Sequence, residues 1–314
     1  FQAEDGIRDS VASRGLGDVY KRQTEDYENF SKKFPFQLTD DQERAINDVI
    51  LDLETGKLMD RLICGDVGFG KTEVALRTSF ILANSGYQVA LVAPTTILVK
   101  QHYKSFSERF KTSSLNISSL SRMTSLKDRN KIKNDLKTGE VNIVIGTHAL
   151  LSNDVDFNNL GLLIIDEEQH FGVAQKEKIK ELQGNIHVLT LSATPIPRTL
   201  QLSLSGLKQL SLITTPPVNR LSIRTFVLEW DKVVLLDALN REKNRGGQTF
   251  IVCPRVKDID SLYDRIKKMV PNLSISVAHG QMKIDELDKS INLFSDGITD
   301  IPVSYTHLTL PTKA

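Results

Sequence analysis

Short, almost uninterrupted apolar runs alternate with amphipathic stretches along the first two thirds of the chain. Such runs are typical of strands that are buried on both faces of a parallel sheet, and they are 61–64, 88–94, 141–147, 160–166 and 186–194. The stretches before and between them repeat apolar residues at helical spacing, over 39–53, 72–85, 97–110, 127–138 and 174–183. Because strand and helix alternate, the pattern predicts an open α/β sheet with helices on both faces.

A second unit of the same kind follows the segment TTPPVNR at 214–220, whose paired prolines predict a linker. Its predicted strands are 223–229, 248–254 and 273–280, and its predicted helices are 231–243, 257–269 and 283–295. Three strands are too few for a complete doubly wound sheet. We therefore expect this second unit to be truncated.

The two ends of the chain do not continue these patterns. Residues 1–23 have little apolar periodicity, and residues 303–314 interrupt a helix-then-strand pattern. Both segments resemble translated adapter or assembly scars more than natural protein, the alternative being two ordinary tails. We expect a non-native segment at 1–23, a first domain at 24–213, a partial second domain at 214–302 and a non-native tail at 303–314, with the natural protein extending in both directions.

The composition is that of a globular protein, because 40% of the 314 residues are hydrophobic and 25% are charged. The formal net charge of +1 provides no overall basic field, so nucleic-acid binding would need a local groove. Cys64 and Cys253 lie far apart in apolar runs, which argues against a disulfide framework or a zinc site and favours a reducing compartment. No apolar run approaches the ~20 residues that span a bilayer and no signal peptide is evident, so we expect a cytoplasmic protein without a membrane partner.

The segment GDVGFGKT at 65–72 fits the pattern G-x-x-x-x-G-K-[ST], with a predicted strand before it and a predicted helix after it. Glycines let backbone N–H groups curl around phosphate oxygens, and the helix N-terminus adds its dipole. Lys71 would reach the β- and γ-phosphates of ATP, and the Thr72 hydroxyl would bind Mg²⁺. The alternative is a chance match in a glycine-rich turn. The residues that we predict to bind the nucleotide here are Gly65, Asp66, Val67, Gly68, Phe69, Gly70, Lys71, Thr72 and Glu73.

Asp166 and Glu167 directly follow the apolar run LGLLII. Acidic residues at the carboxyl end of a buried strand face the crevice where such sheets bind ligands. We predict that Asp166 joins Thr72 at Mg²⁺, and that Glu167 is the general base that orients and deprotonates the attacking water. With Lys71 they form the predicted catalytic set. The alternative is an acidic helix N-terminus that the helix dipole favours.

Two further groups of residues are candidates with stronger structural alternatives. Ser192, Ala193 and Thr194 end the next buried run and would link nucleotide state to the second unit, although Ser and Thr at a strand end are usually turn residues. Gln42 and Phe36 would contact the edge and the face of the adenine. Gln42 is also the capping-box partner of Thr39, and the two roles are compatible.

The motifs occur in the order of a superfamily 2 helicase motor. More narrowly, residues 27–302 resemble the bacterial transcription-repair coupling factor family, on the segments FPFQLTDDQ, MDRLICGDVGFGKTEVALR, LVAPTTILVKQHY, GTHALL, DEEQHFGV, LSATPIPRTL and AHGQM. Branched-DNA helicases of the RecG type share GDVGFGKT and ATPIPRTL, but they usually have Asp-Glu-Gln-His where this chain has Asp166-Glu167-Glu168-Gln169. His170 departs from both families, in which Arg is commoner at that position.

The resemblance implies two RecA-like P-loop lobes with parallel sheets, the second of them truncated. It implies a double-stranded DNA translocase, driven by ATP and Mg²⁺, that displaces stalled RNA polymerase and helps to recruit excision-repair proteins through domains outside this chain. It also implies that later motifs of the second lobe, including an arginine finger worth ~10³–10⁵ in turnover, lie beyond residue 302. We therefore expect this fragment to bind Mg-ATP with almost no DNA-stimulated hydrolysis. The alternatives are a RecG-type motor and a nucleotide-binding module without turnover.

By the same resemblance we place DNA contacts on loops at one face of the two lobes, where short polar side chains suit contact with phosphates rather than bases. The alternative for each residue is an ordinary turn or a helix cap. The predicted DNA-binding residues are Thr95, Thr96, Gln101, Arg122, Gly146, Thr147, His148, Arg255, His279 and Gln281.

Overall fold

The computed structural model describes residues 24–122, 124–193, 208–217, 223–279 and 281–305. The chain divides into two compact units between residues 221 and 222, shortly after the paired prolines of the predicted linker. Within the described ranges, every helix is too short or too polar to cross a bilayer.

The first unit is a parallel sheet of seven strands in the order β3-β4-β2-β5-β6-β1-β7. The strands are β1 (Asp60–Gly65), β2 (Gln88–Val92), β3 (Ile117–Leu120), β4 (Ile143–Gly146), β5 (Leu160–Asp166), β6 (His187–Ser192) and β7 (Gln209–Ile213). The helices are α1 (Thr24–Lys32), α2 (Asp40–Glu54), α3 (Lys71–Asn84), α4 (Thr96–Arg109), α5 (Leu126–Thr138) and α6 (Val173–Gln183). The predicted parallel α/β fold is confirmed.

Strands β3 and β7 were not predicted, and both lie at the edges of the sheet. An edge strand is partly exposed, so it lacks the continuous apolar run that identifies an inner strand. Strand β3 has the sequence ISSL, and β7 alternates between buried and more exposed residues in QLSLI.

The core of the first unit lies on both faces of this sheet. In β5, Leu162 and Ile164 belong to one apolar cluster, while Leu163 and Ile165 belong to the other. Side chains alternate between faces along a strand, so an unbroken apolar run supplies both clusters at once. Phe30 of α1 stacks on Phe80 of α3, with 4.3 Å between ring centroids, and this contact attaches α1 to the first cluster.

The second unit has a parallel sheet of three strands in the order β8-β10-β9. Its strands are β8 (Ile251–Cys253), β9 (Ile275–Ala278) and β10 (Ile301–Tyr305), and its helices are α7 (Lys232–Asn244), α8 (Ile259–Met269) and α9 (Ile284–Ser295). The core includes Leu239, Ile266 and Val303, all buried.

Two expectations about the second unit need correction. Residues 223–229 do not form a strand, and Ile223, Phe226 and Val227 are exposed, because none of the described strands pairs with this segment. Residues 303–305, which we assigned to a tail without a part in the fold, complete the central strand β10. Val303 is fully buried there, since β10 has neighbours on both sides.

Candidate functional site

The loop between β1 and α3 requires glycine at several positions. Gly68 and Gly70 both have φ of +80°, a conformation that is unfavourable for residues with a Cβ atom. A Cβ atom at Gly65 would lie 2.7 Å from the carbonyl oxygen of Ile213 on β7, which is too close. Asp66 and Val67 are exposed at the tip, where Asp66 Oδ1 accepts a 2.7 Å hydrogen bond from the Val67 N–H. The loop therefore presents backbone rather than side chains near the N-terminus of α3.

Lys71, the first residue of α3, lies over this loop. Its ammonium group donates hydrogen bonds to the carbonyl oxygens of Gly65, at 2.7 Å, and Asp66, at 3.1 Å. Burial lowers the pKa of Lys71, while the carboxylates of Glu167 and Asp166 oppose this shift. The structure thus brings the three predicted catalytic residues together, although they come from two different strand ends. Thr72 is partly buried in the first turn of α3.

Gln42 connects helix α2 to the same loop. Its Nε2 donates a 2.8 Å hydrogen bond to the Phe69 carbonyl, while its Oε1 accepts the Thr39 N–H at 2.9 Å in a complete capping box. The predicted capping role of Gln42 is confirmed. An amide group has two N–H donors and Phe69 uses one of them, so the capping role is compatible with the adenine contact, which stays a prediction. Phe36, the other predicted adenine contact, is 63% exposed and packs edge-on against Phe34.

Glu73 does not bring its carboxylate to the loop. The side chain is buried, and Oε1 accepts hydrogen bonds from Arg77 at 2.8 Å and from Arg109 at 3.1 Å. The Glu73 side chain therefore lies away from the loop, and a nucleotide contact by Glu73 stays a prediction. The physical reason is helical geometry, since residues four apart lie on the same face and Glu73 pairs with Arg77.

Asp166 is buried at the carboxyl end of β5, and its partner was not predicted. His102 of α4 places Nε2 2.7 Å from Asp166 Oδ2. The carboxylate accepts, so the imidazole Nε2 donates. His102 is part of the motif LVAPTTILVKQHY, but a lone histidine within a helical pattern carries no signal of its partner across the sheet.

Glu167 has φ of +52° and ψ of +57°, and within the described ranges it is the one non-glycine residue with positive φ. Such a conformation costs about 1–2 kcal/mol for a residue with a side chain. Hydrogen bonds hold it there: Oε1 accepts the Ala193 N–H at 2.9 Å, Oε2 accepts from Gln169, and the Glu167 N–H donates to Leu191 at 2.9 Å. This strained turn directs the carboxylate to the end of β6.

The predicted coupling segment therefore meets Glu167 directly. Ser192 is buried at the end of β6, and Ala193 supplies the N–H that Glu167 accepts. Thr194 lies outside the described residues. A change in the position of Glu167 would thus reach the segment after β6 through one hydrogen bond.

The residues predicted to bind DNA in the first unit follow β2, β3 and β4. They therefore lie beyond the carboxyl ends of these strands, at the same end of the parallel sheet as the phosphate loop but in its other half. Thr95 caps α4 by accepting the Leu98 N–H at 3.3 Å, and Gln101 and Arg122 are exposed. Thr96 and Lys100 line a groove of about 500 Å³, most of whose other lining residues carry hydroxyl groups.

The segment after β4 is more deeply placed. Gly146 is buried, and a Cβ atom there would clash with the carbonyl oxygen of Leu120. The Thr147 side chain is also buried, and its hydroxyl has no hydrogen-bond partner among the described residues. His148 is partly buried. Contact between DNA and the Thr147 side chain would therefore require a local rearrangement, whereas His148 is accessible.

In the second unit, the predicted DNA-binding residues lie at the carboxyl ends of the two parallel strands β8 and β9, which flank the central strand β10. Arg255 follows β8, is exposed and forms a 2.7 Å ion pair with Asp258. His279 and Gln281 follow β9, with His279 partly buried and Gln281 exposed. The structure brings these three residues to one edge of the small sheet.

Comparison with known proteins identifies the family. The model for the DEAD/DEAH box helicase family matches residues 39–203, which is more than half of the chain, and the model for the helicase conserved C-terminal domain matches residues 231–308. The chain belongs to the DEAD/DEAH box helicase family. Its fold is therefore a nucleotide-binding fold. The nucleotide-binding and DNA-binding candidates lie mainly near the carboxyl ends of the parallel strands described above.

Similar helicase-family proteins include much longer chains. The transcription-repair-coupling factor of Rickettsia bellii is 54% identical over 286 residues, which cover 90% of this chain and 26% of that protein. The transcription-repair-coupling factor of Bacillus subtilis is 50% identical over 277 residues, which cover 88% of this chain and 24% of that protein. The chain thus spans about a quarter of the length of these relatives.

A solved structure of RecG bound to a three-way DNA junction is also similar. It is 33% identical, with a TM-score of 0.75, and the match covers 99% of this chain and 44% of that one. The higher sequence identity to the coupling factors, over nearly the same part of the chain, favours them over RecG as relatives of this helicase-family chain. The predicted resemblance is confirmed.

Proposed function

We propose that this chain is the ATP-hydrolysing motor region of a double-stranded DNA translocase that acts in transcription-coupled DNA repair. The observation that carries the proposal is the meeting of Lys71, Asp166 and Glu167. One ammonium and two carboxylates, from different strand ends, act on one another beside a loop that presents backbone groups. This arrangement suits phosphoryl transfer, which depends on positioning and charge more than on covalent chemistry.

The proposed roles follow from the contacts of each residue. The Lys71 ammonium would turn from the carbonyl oxygens of Gly65 and Asp66 to the phosphates of bound ATP. The Glu167 carboxylate, held by the Ala193 N–H, would orient the attacking water and take its proton. Hydrolysis would then be coupled to movement through the contact between Glu167 and the end of β6.

Mg²⁺ is the metal that we propose for this site. The Thr72 hydroxyl and the Asp166 carboxylate are hard oxygen donors, which suit Mg²⁺. His102 occupies Asp166 Oδ2, and Oδ1 remains for a metal. Within the described ranges, no three His, Cys, Asp or Glu side chains cluster to hold a metal by themselves, so the phosphates would supply further ligands, as is usual for Mg²⁺. When bound, Mg²⁺ supplies positive charge to the phosphate oxygens.

DNA binding is proposed for the edge after β2, β3 and β4 and for the corresponding edge of the small sheet. The hydroxyl-lined groove beside Lys100 offers contacts that suit phosphates of any sequence. The solved RecG relative is bound to a DNA junction, and the relatives of higher identity are named for coupling transcription to repair. We propose the same setting for the parent protein, in the cytoplasm, with RNA polymerase and excision-repair proteins as partners of other parts of that protein.

Two substitutions test the ATPase proposal. Lys71→Ala should abolish most of the affinity for a fluorescent ATP analogue, with Lys180→Ala on the exposed face of α6 as the control. In the full-length motor, Glu167→Gln should keep this affinity but slow single-turnover phosphate release by about 100-fold or more, with exposed Glu177→Gln as its control. Unchanged analogue binding in the Lys71 variant, or unchanged phosphate release in the Glu167 variant, would contradict the corresponding role.

A further inference from the structure

We propose that His102 is a positioning residue that holds the Asp166 carboxylate for Mg²⁺. This inference rests on the metal site proposed above and adds to it a residue from the helix after β2. It concerns how the carboxylate is oriented, not the binding of the metal by His102 itself.

The two side chains meet inside the protein. His102 and Asp166 are each 7% exposed, and Nε2 of the imidazole lies 2.7 Å from Oδ2 of the carboxylate. Asp166 ends β5, and His102 lies in the second turn of α4, which follows the neighbouring strand β2. Thr95 caps the N-terminus of α4, so the helix that carries the imidazole starts at a defined position.

This contact fixes the carboxylate more than a solvent-exposed hydrogen bond would. A buried carboxylate needs a partner, and the imidazole N–H occupies one of its two oxygens. The rotation of the carboxylate about its Cβ–Cγ bond is then restricted, with Oδ1 left as the metal-binding oxygen. Groups that hydrogen-bond to metal ligands in this way typically contribute 10- to 100-fold in metal affinity or activity.

The ordinary alternative is that His102 only fills space and satisfies a buried acid. Both explanations predict a loss of stability when His102 is replaced. They differ in metal affinity, because only a positioning role predicts that a replacement with a hydrogen-bond donor at the Nε2 position restores it. Glutamine places an amide N–H2 group at about that position, whereas alanine does not.

The test is Mn²⁺ affinity, measured by electron paramagnetic resonance for this chain saturated with an ATP analogue. We expect His102→Ala to weaken Mn²⁺ binding about 10- to 100-fold, and His102→Gln to restore most of it. Affinity for the analogue in EDTA should be unchanged in both. Asp166→Ala gives the affinity without the carboxylate. His187→Gln and His187→Ala are matched controls, because His187 is also buried but accepts the Met59 N–H at the other end of the sheet.

The outcomes separate this inference from the proposed site. If Asp166→Ala weakens Mn²⁺ binding and His102→Ala does not, the metal site stands and the positioning role of His102 is wrong. If the alanine and glutamine variants at position 102 are both folded and lose Mn²⁺ affinity equally, a hydrogen bond donated from this position does not position Asp166, and the inference is wrong. If Asp166→Ala itself has no effect, the proposed metal site fails and the inference fails with it. A folded glutamine variant keeps the test decisive even where the alanine variant does not fold.

Discussion

Gly70 offers a direct test of how the phosphate loop is held, through the substitution Gly70→Ala. The residue has φ of +80° at the start of α3, and a Cβ atom there would overlap Gln42 Nε2 and lie 3.2 Å from Gln42 Cδ. Alanine therefore meets two separate difficulties, an unfavourable backbone conformation and a collision with the side chain that joins α2 to the loop. Gly86 separates them, because it has φ of +88° and no atom within 4 Å of its Cβ position.

The expected magnitudes follow from this difference. The left-handed conformation costs alanine about 1–2 kcal/mol at either position. Displacement of Gln42 also breaks its bond to the Phe69 carbonyl and its half of the capping box with Thr39, which adds about 1 kcal/mol for each bond. Gly70→Ala should thus lower the free energy of unfolding by about 3–4 kcal/mol, and Gly86→Ala by about 1–2 kcal/mol.

Amide hydrogen exchange of strand β1 measures this free energy within the first unit. In a Gln42→Ala background the collision is absent, so Gly70→Ala should then cost only as much as Gly86→Ala. The interaction between the two substitutions would be about 2 kcal/mol. Equal costs at positions 70 and 86 in the wild-type background would refute the reasoning, as would a full cost at position 70 in the Gln42→Ala background.

Three further predictions concern groups away from the loop. Burial lowers the pKa of His187 to about 4 from 6.5. Between these two pH values the unfolded state binds more protons than the folded state. The free energy of unfolding should therefore fall by ~3 kcal/mol as the pH falls from 6.5 to 4. Urea unfolding should show a flatter pH dependence in His187→Gln, and an unchanged slope would contradict this origin. Arg61→Ala should lower the free energy of unfolding by about 3–5 kcal/mol, because it leaves the Asp52 carboxylate buried without the guanidinium that donates two hydrogen bonds to it. The control Arg241→Ala, at an exposed ion pair, should lower it by less than about 1 kcal/mol. Equal losses of stability in urea unfolding would refute the argument. Glu73→Gln should destabilise the first unit but leave affinity for an ATP analogue unchanged, and a selective loss of affinity in a titration would restore Glu73 to the site.

The sequence predicted the inner part of the first unit well, since every inner strand is an apolar run and the limits of the five predicted helices agree closely with the structure, although helix α1 was not predicted. It failed where a strand depends on its neighbours. The edge strands β3 and β7 have polar or alternating residues, and the apolar stretch 223–229 has no pairing partner among the described strands. Local pattern records the propensity for a strand, but a strand needs a ladder of hydrogen bonds to form.

In the candidate site, too, the sequence predicted residues that follow a local signal and missed contacts that the fold creates. Lys71, Asp166 and Glu167 were predicted because each follows a recognisable strand or loop signal. The pairing of His102 with Asp166 was missed because it joins residues 64 positions apart. The environment of Glu73 was missed because Glu73 directly follows the phosphate-loop motif in the sequence, while its side chain faces Arg77 and Arg109 inside the protein.

The first turn of α2 shows how one short segment serves both the site and the fold. Gln42 holds the loop at Phe69, and the adjacent Asp41 accepts hydrogen bonds at 2.8–2.9 Å from the N–H and hydroxyl groups of both Thr214 and Thr215, just after β7. These bonds hold the pKa of Asp41 well below its usual range. Because successive residues of a helix point in different directions, a single capped turn can hold the phosphate loop with one side chain and the end of the sheet with the next. The position of the loop is therefore set by the contacts of α2 with the loop and with the segment after β7, as well as by the glycines of the loop itself.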